Sequence, residues 1–423
     1  MEVRPIKRLD ATLQVPGSKS YTHRALIVAA LAEGESIIQG GLLSEDTYYT
    51  QKGLELLGAE ISWDDGIFRV RGTGGIIKNP ARDIYLGNAG TSMRFLTSIV
   101  ALGQGTFMLT GSRRMQERPI QDLLDVLASF GVNAYTKENT GCPPVIIESN
   151  GLRGGEARLK GSLSSQYLSS ILLASPYASQ DVHIEIIGDL VSRPYVDMTM
   201  ETMRSFGVKV THWQHRSFRV PAGQRYLARN YMVEGDTSSA CYFWAAAAIT
   251  GGRVAITNVP PDSLQGDLGF LKILEKMRCW VKMGESGITV EGGKLRGIEV
   301  DMNSMPDVVP TLSVVAAFAK GNTIIKNVPH LRIKETDRLK AVATELQRMG
   351  IEVKERIDGL IITGGKPKAA TIETYNDHRM AMSFALAGLV VPGVRIKNES
   401  CVQKSFPDFW DRLEGLYVAK NDQ

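Results

Sequence analysis

The chain has 423 residues, 49 basic and 45 acidic, for a formal charge of +4, with 43% hydrophobic and 22% charged side chains. Such a composition argues for a folded protein and against a disordered, collagenous or membrane-spanning one, and the near-balance of charge argues against nucleic acid, whose recognition needs a dense basic stripe. The four cysteines, Cys142, Cys241, Cys279 and Cys401, form no CxxC pair, so neither a zinc site nor a disulfide framework is expected.

Residues Met1 to Pro5 carry no apolar signal core, and the longest apolar runs, Ala25 to Ala32 and Ala240 to Ile249, fall short of the ~18 residues that span a bilayer. A cytoplasmic protein without membrane contact is the expectation. Residues Val3 to Val15 read as a lone opening strand. From there the chain repeats itself. Six segments share a polar turn, an alanine-rich apolar run and a β-branched stretch: GSKSYTHRALIVAALAEGESII, GNAGTSMRFLTSIVALGQGTFML, GSLSSQYLSSILLASPYASQDVHIEI, GDTSSACYFWAAAAITGGRVAI, PDVVPTLSVVAAFAKGNTII and NDHRMAMSFALAGLVVPGVRI. They begin at Gly17, Gly87, Gly161, Gly235, Pro306 and Asn376, spacings of 70, 74, 74, 71 and 70, which is the signature of a repeated supersecondary unit.

A second helical motif follows each copy: ELLGAEI, VLASFGVNAY, TMRSFGVKV, ILEKMRCWV, ELQRMGIEV and, last, DFWDRLEGLYV. In the first copy Leu26, Ile27, Ala30 and Leu31 fall at helical spacing, whereas Ser36–Ile38 and Ile67–Val70 read as strands. The first helix of each copy is apolar almost all round and should be buried; the second is amphipathic and should cover it. The fold class is therefore α/β, with two domains of three repeats each: residues 1–14 plus 234–423, closed by the N-terminal strand, and residues 15–233. The two chain crossings, near Leu13–Val15 and Tyr231–Glu234, suit a hinge.

Each first helix opens with capping residue types: Ser18-Lys19-Ser20, Asn88 to Thr91, Ser164-Ser165-Gln166, Asp236-Thr237-Ser238, Asp307, and Asp377-His378-Arg379. A helix N-terminus offers unpaired N–H groups and a partial positive charge, and so attracts phosphate or carboxylate. Arg24 and Arg94 lie in the first turns. Arg118, Arg193, Tyr195, Lys334, Arg338 and Lys404 stand at the starts of the second helices. A cation there costs about 0.3–1 kcal/mol, so the set implies small polyanionic ligands. No HExxH, Ser/His/Asp, GxxxxGK[ST] or dinucleotide fingerprint occurs, so neither metal nor organic cofactor is expected.

The segments PGSKSYTHRAL, LGNAGTSMRFL, ERPIQDLL, GSLSSQYLSS, SRPYVDMT, EGDTSSACYF, PDVVPTL, KETDRL, NDHRMAMSFAL and KSFPDFW resemble, in order and over nearly the whole chain, the 5-enolpyruvylshikimate-3-phosphate synthases. The resemblance implies two similar globules, each of three βαβαββ-type units forming an inside-out α/β barrel, with the active site in the interdomain cleft. It also implies cofactor-free transfer of an enolpyruvyl group from phosphoenolpyruvate to the 5-hydroxyl of shikimate 3-phosphate, by a monomer of a family that is the target of glyphosate. By motif, Lys19, Ser20, Arg24, Ser164, Ser165, Gln166, Ser192, Tyr195, Asp307, His330 and Lys334 are implied contacts of shikimate 3-phosphate. Lys19, Gly90, Arg94, Arg118, Gln166, Glu335, Arg338, His378, Arg379 and Lys404 are implied contacts of phosphoenolpyruvate. The chemistry needs one group to take the hydroxyl proton and one to deliver and retrieve a methyl proton. Asp307 is assigned the first role and Glu335 the second, an assignment that can be exchanged, with Lys19 stabilising charge. Phe95 and His330 depart from the family's common pattern, which has Pro and frequently Asn there.

Two other readings stand beside this one. A sister enolpyruvyl transferase acting on UDP-N-acetylglucosamine has the same six-unit plan but uses a reactive cysteine, for which only Cys142 is available in the first half. A non-catalytic anion- or RNA-binding repeat protein would not need the paired acids Asp307 and Glu335.

Overall fold

The computed structural model describes residues 1–417; Val418, which ends the sixth helical motif, lies outside the described residues. Each repeat supplies a pair of helices: α1 (Lys19–Leu31) and α2 (Glu45–Leu56), α3 (Gly90–Val100) and α4 (Gln121–Ser129), α5 (Ser165–Ala174) and α6 (Arg193–Ser205), α7 (Thr237–Thr250) and α8 (Phe270–Lys276), α9 (Val309–Ala317) and α10 (Arg338–Arg348), α11 (His378–Gly388) and α12 (Phe409–Gly415). The odd-numbered helices form the cores. α1 buries every residue from Tyr21 to Leu31 and α9 every residue of its length, as a helix apolar on all faces must. The even-numbered helices bury one stripe; α10 keeps Leu339, Val342 and Leu346 inside.

Five four-stranded sheets share one plan. In three of them the strand entering a first helix lies parallel to the strand leaving it; in the other two the parallel partner is the strand that precedes the first helix of the other unit. In all five a β-hairpin continues the sheet antiparallel, as in Gly155–Lys160, Val182–Ile187, Ser217–Val220 and Thr211–Trp213. Parallel neighbours require a crossover, and in those three sheets the first helix is that crossover. The hairpin strand passes close beneath the C-terminal carbonyls of the helix. At Gly72 a Cβ would lie 2.2 Å from the Ala32 carbonyl oxygen, at Gly292 2.2 Å from that of Ala247, and at Gly364 1.8 Å from that of Ala319, so only glycine fits at these three related positions. Among the described residues the sixth repeat has the two-stranded parallel pair Thr371–Ile372 and Arg395–Ile396.

The chain divides into two compact units, residues 17–233 and residues 1–16 with 234–423. Each is closed by a strand from the segment that joins it to the other in sequence: Asn230–Met232 pairs with Ile37–Gln39 in one unit, and Asp10–Leu13 pairs with Arg253–Ile256 in the other. The boundary lies two residues later than the sequence suggests. Val15 exchanges hydrogen bonds with the Asn258 side chain, donating to Oδ1 at 3.0 Å and accepting from Nδ2 at 2.7 Å, so Val15 and Pro16 belong with residues 234–423. Val3 N–H donates to the Val394 carbonyl, tying the N-terminus to the sixth repeat.

Candidate active-site residues

In the unit of residues 17–233 the helix starts gather at one end. Lys19, first in α1, pairs with the buried carboxylate of Asp46 at the start of α2 (2.8 Å). A chain of hydroxyls continues into α3: His23 Nδ1 meets Thr50 Oγ1 at 2.7 Å, Thr50 meets Ser92 Oγ at 2.7 Å, and Ser92 donates to the Asp46 carbonyl at 3.1 Å. Gln166 in the first turn of α5 donates to Thr91 of α3 at 3.1 Å, and Ser164 caps α5 by accepting from the Gln166 N–H. Ser165 and Ser192 are buried beside them.

Arg24 fastens α1 to α6. Its Nε donates to Thr199 Oγ1, its Nη1 to the Ser20 carbonyl and its Nη2 to the Tyr195 carbonyl, each at 2.8 Å. Burial lowers its pKa to about 10. The guanidinium stacks 5.2 Å over the Phe95 ring, which gives the departure at Phe95 a role: an aromatic face for a desolvated cation. Just ahead of α6, Ser192 holds the left-handed conformation, φ +53°, which a non-glycine residue keeps only where its surroundings enforce it.

Gly90 opens α3 against Arg118. A Cβ on Gly90 would lie 2.7–2.9 Å from the Arg118 guanidinium, so the glycine lets a cation rest on the helix N-terminus. Arg118 also donates to the Asn88 carbonyl and side chain at 3.4 Å. Arg94 turns inward to the Gly90 carbonyl (3.2 Å) and the Pro119 carbonyl (3.0 Å).

The other unit concentrates charge more tightly. Arg338, 1% exposed, donates from Nε to Asp377 Oδ2 (2.7 Å), from Nη1 to Asp307 Oδ1 (2.9 Å) and from Nη2 to Glu335 Oε2 (2.8 Å). Asp307 accepts on its second oxygen from Arg379 Nη2 at 2.8 Å, and the Arg379 backbone N–H donates to Asp377, the α11 cap. Burial by itself would raise the Asp307 pKa, but Arg379, Lys334 and Arg338 together hold its carboxyl well below the usual range. His378, first in α11, is buried, and so is Lys404, which ends the 3-10 turn Glu399–Lys404 rather than opening α12 as its sequence position suggests. His330 is buried with no hydrogen bond from either ring nitrogen among the described residues, and burial followed by Lys334 lowers its pKa to about 4, so it is neutral.

These pairings correct one premise. Lys19 and Arg338 are not uncompensated cations at helix starts, since buried carboxylates neutralise them. Asp46 and the partnership of Asp377 with Arg338 are not apparent in the sequence, where an acid at a helix start reads as a cap. None of the four thiols is activated: burial pushes Cys142 and Cys241 up, Cys279 to about 11 and Cys401 to about 12, which disfavours thiolate chemistry. No group of three or more His, Cys, Asp or Glu side chains among the described residues could hold a metal ion.

A family model described as EPSP synthase (3-phosphoshikimate 1-carboxyvinyltransferase) matches residues 3–413. The 3-phosphoshikimate 1-carboxyvinyltransferase of Trichormus variabilis is 47% identical over 413 residues, 97% of this chain and 96% of its own. That of Sulfurovum sp. is 45% identical over 420 residues, 98% of each. The structure of EPSP synthase from Acinetobacter baumannii superposes with a TM-score of 0.81 at 29% identity, covering 98% of this chain and 97% of that one. The repeated α/β units, the charged helix starts and near-full-length similarity agree: this chain belongs to the EPSP synthase (3-phosphoshikimate 1-carboxyvinyltransferase) family.

Proposed function

We propose that the chain moves the carboxyvinyl group of phosphoenolpyruvate to the 5-hydroxyl of shikimate 3-phosphate and releases inorganic phosphate. The observation that carries this reading is Asp307, an ionised carboxylate shared between Arg338 and Arg379. As a base it is weak while both guanidinium groups hold it. A ligand phosphate or carboxylate that draws their N–H groups away removes that stabilisation, so the basicity of Asp307 rises when the second anion binds. It then takes the 5-hydroxyl proton, while Glu335 delivers a proton to the methylene carbon and later retrieves one from the methyl group. Arg338, Arg379, Lys404, Arg118 and Lys19 stabilise the charge that moves to the departing phosphate.

In this reading Ser164, Ser165, Gln166, Ser192 and Tyr195 hold shikimate 3-phosphate. Arg24 uses three of its five N–H donors to fix Thr199 and the Ser20 and Tyr195 backbones, and joins these residues in holding the same ligand. The neutral, unbonded ring of His330 suits a hydroxyl of the same ligand. Gly90 seats Arg118 for phosphoenolpyruvate, with Arg94 behind it and His378 beside Arg379.

The test is phosphate release from phosphoenolpyruvate. Release that depends on shikimate 3-phosphate supports the reading, whereas release that depends instead on UDP-N-acetylglucosamine overturns it. No helix among the described residues is long and apolar enough to cross a membrane. A cytoplasmic monomer belongs to the same proposal, and a dimer's mass by light scattering would contradict it.

A further inference from the structure

One buried acid of this cluster has no part in the reaction as described. Asp267 sits on the short 3-10 turn Gly266–Gly269, only 3% exposed. Its Oδ2 accepts from the Ser238 hydroxyl in the first turn of α7, while its Oδ1 has no hydrogen-bond partner among the described residues. Ser238 Oγ is also 3.5 Å from Arg379 Nη2, the same nitrogen that donates to Asp307. Asp267, Ser238, Arg379 and Asp307 therefore form one chain from a half-bonded carboxyl to the proposed base.

We propose that Asp267 is a positioning residue for phosphoenolpyruvate, setting through the Ser238 hydroxyl the donor that stands beside Arg379. The inference rests on the functional reading above. A charged Asp267 can only accept, so Ser238 must spend its hydrogen on Asp267 and can only accept from Arg379. A protonated Asp267 can donate to Ser238, and the serine hydrogen is then free to turn to an anion held by Arg379. The groups facing Asp267 are Asp307, Arg379, Ser238 and Asp236, with the Cys241 thiol 3.6 Å from its backbone carbonyl. Burial chiefly, then Asp307, raises the carboxyl to about 7, with Arg379 and Ser238 opposing, so both states are within reach near neutral pH.

The test compares wild type with Asp267→Asn and Ser238→Ala, measuring KM for phosphoenolpyruvate from about pH 5.5 to 8.5, a span that brackets the neutral titration range. Comparison with the variants cancels the ligand's own ionisation. In Asp267→Asn the new side-chain amide can donate to Ser238 at every pH. The ratio of wild-type to Asp267→Asn KM should therefore stay near unity in acid and climb several-fold on the alkaline side. In Ser238→Ala the wild-type inflection should disappear, with KM raised chiefly in acid. If both ratios are flat across the range while turnover persists, the proposal is overturned and the functional reading stands. Loss of all turnover in the wild type would instead sink that reading. Should Asp267→Asn fail to fold, the Ser238→Ala profile decides: a retained inflection refutes the relay.

Discussion

Arg338 and Asp377 form an ion pair at 2.7 Å with side chains 1% and 0% exposed, and the same guanidinium holds Asp307 and Glu335. Removing one partner of a buried pair strands the others, at about 3–5 kcal/mol. Arg338→Ala should therefore lose stability by that order as well as affinity for phosphoenolpyruvate, because three carboxylates lose their cation together. Arg338→Lys keeps the charge but not the fork, and should raise KM with a smaller fall in melting temperature. Thermal melts beside KM for both variants check this; an Arg338→Ala protein as stable as wild type would contradict the keystone role.

Gly90→Ala tests the seat of Arg118. Alanine suits a helix better than glycine, by about 0.5–1 kcal/mol, so stability should hold or improve. The new methyl group, however, would fall within 2.9 Å of the guanidinium, which must swing aside. A displacement near 1 Å at a binding group can cost ~100-fold, so KM for phosphoenolpyruvate should rise by one to two orders of magnitude, with shikimate 3-phosphate affinity little changed. Unaltered KM would show that Arg118 does not depend on this contact.

The repeat is legible because it is written in local pattern: capping residues stand directly before apolar runs, and that short arrangement recurs at regular spacing. Gly72, Gly292 and Gly364 lie outside that code, since each meets a carbonyl 40 to 45 positions away. The pairing of charges is not legible. Arg338 reaches Asp377 across 39 positions and Lys19 reaches Asp46 across 27, and only the stacking of one element on another brings those side chains together. Cations at helix starts thus look costly in the sequence and are neutralised in the fold. Asp267 and Ser238 escape a reading of the sequence for the same reason, since an acid in a glycine-flanked turn and a serine after a cap have ordinary local explanations.

The buried carboxyl of Asp267 also predicts a stability profile. Its pKa rises from 3.8 to about 7 in the fold, so the folded state binds the proton more tightly than the unfolded chain does. The stability this gives is fully present below pH 3.8 and is lost as pH climbs to about 7. Asp267→Asn abolishes the titration. Its stability relative to wild type should grow between those limits and then level off, at a gain of about 4 kcal/mol. Denaturant melts at several pH values measure this; a gain that is the same at every pH would exclude the raised pKa as its source.

Asp307 shows the opposite sign. Its depressed pKa means a contribution to stability that is present above pH 3.8 and lost on further acidification, so Asp307→Asn should be less stable than wild type at neutral pH, with the difference narrowing in strong acid. Its effect on function separates from its effect on the fold. Asparagine keeps the shape but cannot take a proton, and it releases Arg379 from the carboxylate that now holds its Nη2 at 2.8 Å. Binding of phosphoenolpyruvate should therefore be retained or tightened, while kcat falls by about 100- to 10,000-fold, the usual worth of a general base. Calorimetric binding beside single-turnover kinetics distinguishes the two effects. Turnover like that of the wild type would move the proton to Glu335, and weakened binding would mean that Asp307 holds the arginines in place for the ligand rather than competing with it.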